Sequence, residues 1–190
     1  PHNADSSIVP LWGHAKSAAS FTMYNTANVP VSQMKASPAS SPTGPSLACL
    51  SCHDGVTAVN SYGGKIQGGS AVTITNSAAI GLNLTHSHPI SFDYNPALVG
   101  NGPTQDKWLN NPTTTQVLTP SSGAFNSGND MTVNGFLLGG KYRMECTSCH
   151  DVHNQEGSPF SITTNPKLVK INGVGSDGKG SILCRSCHIK

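Results

Sequence analysis

The sequence predicts a fold that is mostly coil, with a few short helices and one small β-hairpin, packed around material other than its own side chains. Three observations predict it. Twenty Gly and 13 Pro in 190 residues interrupt any long helix or strand. Hydrophobic residues make up 36% and charged residues 11%, against about 25% charged in a typical soluble domain. That is too little charge for the solvent face of a helix bundle, and the apolar supply is thin for this length. The six cysteines fall into three copies of one five-residue pattern. The same numbers exclude other classes. No apolar run approaches the ~18 residues of a membrane-spanning helix. A net charge of +2, scattered along the chain, is no footprint for nucleic acid. The chain starts at Pro1 with no apolar export signal, as a processed mature protein or a fragment would.

The elements follow in order. Residues 1–29 hold His2, His14 and the mixed stretch Ile8-Val9-Pro10-Leu11-Trp12. Residues 30–46, with Pro30, Pro38, Pro42 and Pro45, read as an irregular connection. Alternation in Ala71-Val72-Thr73-Ile74-Thr75 predicts a short strand. Asn95-Pro96-Ala97-Leu98-Val99-Gly100 predicts a one-turn helix with an Asn cap, Pro at its first position and a Gly stop. Residues 104–111 suggest another short helix, and 112–130 are Thr/Ser/Asn/Gly-rich. Phe136-Leu137-Leu138-Gly139-Gly140-Lys141-Tyr142-Arg143-Met144 reads as a hairpin about Gly-Gly. Ser181 is placed to cap a short helix at the end of the chain. One domain spanning 1–190 is expected.

The cysteines decide the chemistry. They read Cys49-Leu-Ser-Cys52-His53, Cys146-Thr-Ser-Cys149-His150 and Cys184-Arg-Ser-Cys187-His188, with none left over. CxxCH is the pattern of covalent c-type haem attachment. Two thiols three positions apart each form a thioether to one vinyl group of the same porphyrin. The next residue then supplies an imidazole to the iron. Zinc knuckles pair CxxC units in twos and do not require the following His, so three units leave one unmatched. Disulfides within each CxxC would also ignore the His. Three porphyrins would make up for the thin apolar composition.

Eight histidines are present. His53, His150 and His188 are the proximal ligands. His2, His14, His86, His88 and His153 remain as candidates for the opposite faces of three irons. His153 follows His150 by three residues, which reach only about 10 Å when extended. That is too short to place two imidazoles on opposite faces of one iron. As a ligand, His153 would serve a second haem and force the two close together. Met23, Met34, Met131 and Met144 read as flexible core filler. Bis-His irons have no open coordination position, so the expectation is an electron carrier and no enzyme.

The strings Pro10-Leu11-Trp12-Gly13-His14, Cys49-Leu50-Ser51-Cys52-His53-Asp54-Gly55, His88-Pro89-Ile90-Ser91-Phe92-Asp93-Tyr94, Cys146-Thr147-Ser148-Cys149-His150-Asp151-Val152-His153-Asn154 and Leu183-Cys184-Arg185-Ser186-Cys187-His188 occur in this order along nearly the whole chain. Together they resemble the exported multihaem c-type cytochromes of metal-reducing bacteria, some of which polymerise into extracellular filaments. The resemblance implies a multihaem cytochrome c fold, mostly coil, organised around stacked bis-His haems. It implies His14, His88 and His153 as distal ligands, and a distal ligand donated across a subunit interface. The chain departs from the pattern at its start, where tetrahaem relatives carry CxxCH-Thr-Pro-His-Asn and this chain opens Pro1-His2-Asn3. Two readings stay open: a fourth haem segment precedes residue 1, or His2 ligates a haem of a neighbouring subunit.

The function expected is electron transfer by a subunit of an extracellular, homopolymeric cytochrome filament with three covalent haems c, or four with a neighbouring or preceding segment. Redox partner proteins or extracellular electron acceptors would be its partners. A soluble periplasmic or cell-surface shuttle with the same haems is the alternative.

Overall fold

The structure, a computed structural model, describes residues 13–24, 34–117, 132–152, 170–171 and 181–189. The described residues are mostly coil and turn. The regular elements are α1 (Gly44–His53), β1 (Ser61–Tyr62), β2 (Lys65–Ile66), a 3₁₀ turn at Pro96–Leu98, a π-helical turn at Val133–Leu137, α2 (Cys146–Cys149) and α3 (Ile182–Cys187). The strands β3 (Phe92–Asp93) and β4 (Arg143–Met144) form a second two-stranded pair. Among the described residues no helix is long and apolar enough to cross a membrane.

The chain packs as two compact units. The first comprises 1–32 and 37–92, the second 33–36 and 93–190. In the first unit a small core gathers Met23, Leu50 and Leu84, with Phe21 and Ile90 against it. Leu50 belongs to the first cysteine motif, so α1 is anchored through one of the two residues between its thiols. The segment carrying His14 is pinned by two isolated bridges, His14 to Tyr62 and Thr22 to Asn83. In the second unit Tyr94, Val117, Val133, Ile171 and Ile182 are buried to 2% exposure or less. The π-helical turn packs against α2. Its i+5 hydrogen bond from Leu138 N–H to the Val133 carbonyl spans 3.1 Å.

Several sequence expectations are corrected. Residues 71–75 form no strand; Val72 instead donates its N–H to Asn60 Oδ1 and its carbonyl receives Val59. The hairpin with a Gly-Gly turn lies at Gly63-Gly64, whose φ angles of 57° and 76° suit a two-residue turn between β1 and β2. Gly139-Gly140 also turn with positive φ, but the residues before them wind into the π turn, and Arg143–Met144 pairs with β3. Tertiary pairing there overrides the local hairpin pattern. Residues 104–111 are turns and bridges: Asp106 meets Val99 and Leu109 meets His188. The last three residues of the 30–46 connection already belong to α1. The Asn95 turn forms as the sequence suggests, with Asn95 Oδ1 accepting Ala97 N–H at 3.0 Å. Ser181 occupies the N-cap position of α3 without a side-chain cap bond.

Candidate functional site

Each cysteine pair sits on a helix, and helical geometry explains the spacing. At about 100° per residue, positions i and i+3 share a face, so the two thiols of each motif project together. The residue before the second cysteine then points to the opposite side. In all three motifs that residue is serine, and Ser51, Ser148 and Ser186 are buried to 2% exposure or less. Ser51 Oγ donates to the Leu47 carbonyl at 2.7 Å, and Ser186 Oγ to Ile182 at 2.9 Å. In the shorter α2, Ser148 enters a capping box with Glu145, whose N–H it accepts at 3.0 Å. The serines thus turn to the buried side of each helix, Ser51 and Ser186 bonding a carbonyl one turn back in the same helix, and leave the thiols on the other face. The extended motif C-x-S-C-H was visible in the sequence, and this repeat of serine was the signal for the buried side of each helix.

None of the six cysteines is in a disulfide. Burial raises the pKa of Cys52, with the Asp54 charge adding to the rise. Burial likewise lifts Cys149, helped by Cys184 and Cys146 and opposed by Lys170. Cys187 is pushed up to about 12, chiefly by burial and then by Cys149 and Cys184. The second and third motifs both belong to the second unit. Among the described residues no three His, Cys, Asp or Glu side chains converge as a bare metal ion would require.

The histidines differ in their surroundings. His53 is the last residue of α1, and its Nδ1 lies 2.8 Å from the Ala78 carbonyl. An Nδ1–H donated to a carbonyl fixes the tautomer and turns the Nε2 lone pair outward, the arrangement of an imidazole that binds metal. His88, exposed, makes the same Nδ1 contact with its neighbour Pro89 at 2.8 Å. His14 is buried, with Nδ1 at 2.7 Å from Ala15 O and Nε2 at 2.9 Å from Ala58 O. A neutral imidazole has one N–H and satisfies one of these two carbonyls. The His14 Nε2 is also 3.8 Å from Cys52 Sγ, which brings it beside the first motif; ligation through Nε2 would exchange the Ala58 contact for the metal. Tyr62 packs edge-on against the ring at 5.2 Å. His150 is exposed and His188 half-buried; both have turned to extended backbone directly after their helices. His86 is exposed. His2 and His153 lie outside the described residues.

The first motif is held by a residue the sequence reading did not single out. Asp54, 1% exposed, follows His53. It accepts Ser17 Oγ at 2.5 Å, Val56 N–H at 2.9 Å, Thr57 N–H at 2.8 Å and Thr57 Oγ1 at 2.6 Å. Burial alone would raise its pKa, but these hydrogen bonds outweigh burial and hold it below the usual aspartate value. Ser17 N–H also donates to Ser51 Oγ at 2.9 Å. The segment bearing His14 is therefore clamped to the helix bearing Cys49, Cys52 and His53. The aspartate after CxxCH, in Cys-His-Asp-Gly, was the available signal.

The donor set suits covalent haem. Each motif offers two thiols on one helical face and an imidazole next in sequence, and at His53 the tautomer is fixed for ligation through Nε2. A haem iron takes its nitrogens from the porphyrin and only one or two ligands from the protein, so it does not require a cluster of three side chains on one point. No protein-family model matches this chain, and comparison with curated proteins gives no match either.

Proposed function

We propose that the chain is an electron-transfer protein carrying three c-type haems: one on Cys49 and Cys52 with His53, one on Cys146 and Cys149 with His150, and one on Cys184 and Cys187 with His188. Bound haem would supply reversible one-electron chemistry at iron. The chain's own residues hold, ligate and shield it. Each thiol would add across a vinyl group, its hydrogen passing to carbon, so attachment would consume no oxidant. His14, His88, His153 and His2 are the candidates for the opposite faces. Imidazole on both faces leaves no position for a substrate, and the reading is therefore a carrier.

The observation that carries this reading is the threefold C-x-S-C-H, each copy on a short helix with its serine turned inward and its thiols together. The second and third motifs lie in the same compact unit, which supports coupling between a second and a third haem. Intact mass of the native protein tests it: three haem increments are expected, and the bare polypeptide mass overturns it. Carbon monoxide binding stoichiometrically to a reduced haem would overturn the carrier reading alone.

The assembly we propose is an extracellular homopolymer with haems continuous across each junction. A surface poor in Lys and Glu costs little to desolvate at an interface, and the surplus imidazoles supply ligands that could cross it. Electron microscopy of native material decides between filaments and a soluble shuttle.

A further inference from the structure

We propose that Tyr94 and Asn110 are positioning residues for the third motif, holding the end of α3 so that His188 leaves it in one direction. The inference rests on the reading above that His188 binds iron. An α-helix ends with four carbonyls that lack partners within it. In α3 these belong to Cys184, Arg185, Ser186 and Cys187. His188 N–H takes the first at 2.9 Å. Asn110 Nδ2 donates to Arg185 O at 3.0 Å and Ser186 O at 3.2 Å. The Asn110 backbone N–H donates to Cys187 O at 2.8 Å. The Tyr94 hydroxyl lies 2.5 Å from Asn110 O and 3.3 Å from Cys187 O. All four carbonyls are thus satisfied, three of them by a residue some 75 positions away in sequence.

The clamp continues past the helix. Leu109 bridges to His188, and Ile189 N–H donates to Trp108 O at 2.8 Å. Residues 108–110 therefore run alongside 185–189 and fix the backbone on both sides of His188. Tyr94 is 1% exposed. The same side chain reaches the Cys187 carbonyl, directly before the imidazole-bearing residue.

The experiment uses the full haem-loaded chain. Tyr94→Phe removes one oxygen and keeps the ring in the core; Asn110→Ala removes both amide bonds. The readouts are the midpoint potential of each haem and the low-spin ferric spectrum. Tyr94→Phe should shift one potential of three and leave two in place. Asn110→Ala should convert part of one haem to high spin. Val133→Ala, a buried truncation in the same unit, should lower stability with all three potentials unchanged. Should Asn110→Ala fail to fold, Tyr94→Phe carries the test alone. Three unchanged potentials in Tyr94→Phe, or all three shifted alike, would overturn the inference and leave the haem reading intact. A wild-type protein without haem would instead overturn the haem reading.

Discussion

The two units hold their motifs in opposite ways. In the first, α1 runs for ten residues, reaches His53 in helical conformation and is secured by the very next residue, Asp54. In the second, α2 is a single turn and α3 has six residues, and both histidines follow in extended conformation. Their support comes from far along the chain: Tyr94 and Asn110 for α3, and the strand pair of β4 for the approach to α2. There Tyr94 N–H meets Tyr142 O at 2.7 Å, and Arg143 bridges Asp93 at 2.8 Å and Glu145 at 3.4 Å. The difference teaches that a five-residue motif specifies its thiols and imidazole but not the means of holding them. A long helix carries its own end; a short one must borrow partners, at the entropic cost of ordering distant chain.

The largest test of this contrast is deletion of a motif. Cys49→Ala with Cys52→Ala should remove one haem increment from the intact mass and leave the spectra of the other two unchanged. Cys146→Ala with Cys149→Ala should remove one increment and also shift the potential of the haem on Cys184 and Cys187. Equal, isolated losses in both variants would remove the proposed coupling within the second unit.

Next in size is Asp54→Asn. It removes a charged acceptor of four hydrogen bonds, and urea unfolding should show a loss of about 2 kcal/mol. Because the folded pKa of Asp54 is depressed, its contribution is complete above the ordinary aspartate pKa and disappears as pH falls through the lower folded value. The variant should lack this acid-sensitive step. An identical acid profile in both proteins would show that Asp54 does not clamp the first unit.

Smaller effects separate the buried serines. Ser51→Ala leaves the buried Ser17 N–H without its acceptor and should cost about 1–2 kcal/mol. Ser186→Ala loses a bond to a helix carbonyl that retains its place in the helix, and about 0.5–1 kcal/mol is expected from the same unfolding curves. The reverse order would place the stronger serine contact in the second unit. The smallest contrast should vanish altogether. Gly64 (φ 76°) and Gly140 (φ 73°) have open space where a Cβ would lie. Alanine at either should cost about 1 kcal/mol through the backbone alone, the same in both units within the error of thermal melts.

Local features of the fold were legible wherever short-range chemistry sets them. The Asn95 turn forms because Asn, Pro and the following residues need only one another. Gly-Gly turns occur at both Gly63-Gly64 and Gly139-Gly140, since positive φ is available to glycine regardless of context. The alternation at 71–75 and the apolar run before Gly139 misled, because neither pattern says which partner a segment will find. Ser91 shows the same limit: at φ 60° and fully buried, it accepts Thr43 N–H at 3.0 Å ahead of α1, a role without a local signature.

By itself the sequence determined the donor groups and their spacing: six sulfurs in pairs one helical turn apart, each pair followed by an imidazole and backed by a serine. Those relations span five residues, and covalent and helical geometry leave them little freedom. Only the tertiary structure decided which neighbours hold each motif: Asp54 with Ser17 for the first, Asn110 with Tyr94 for the third. It alone set the Nδ1 of His53 on the Ala78 carbonyl. Such partners are 25 to 93 positions apart, and hydrogen bonds across that distance form only where packing has already brought the backbones together.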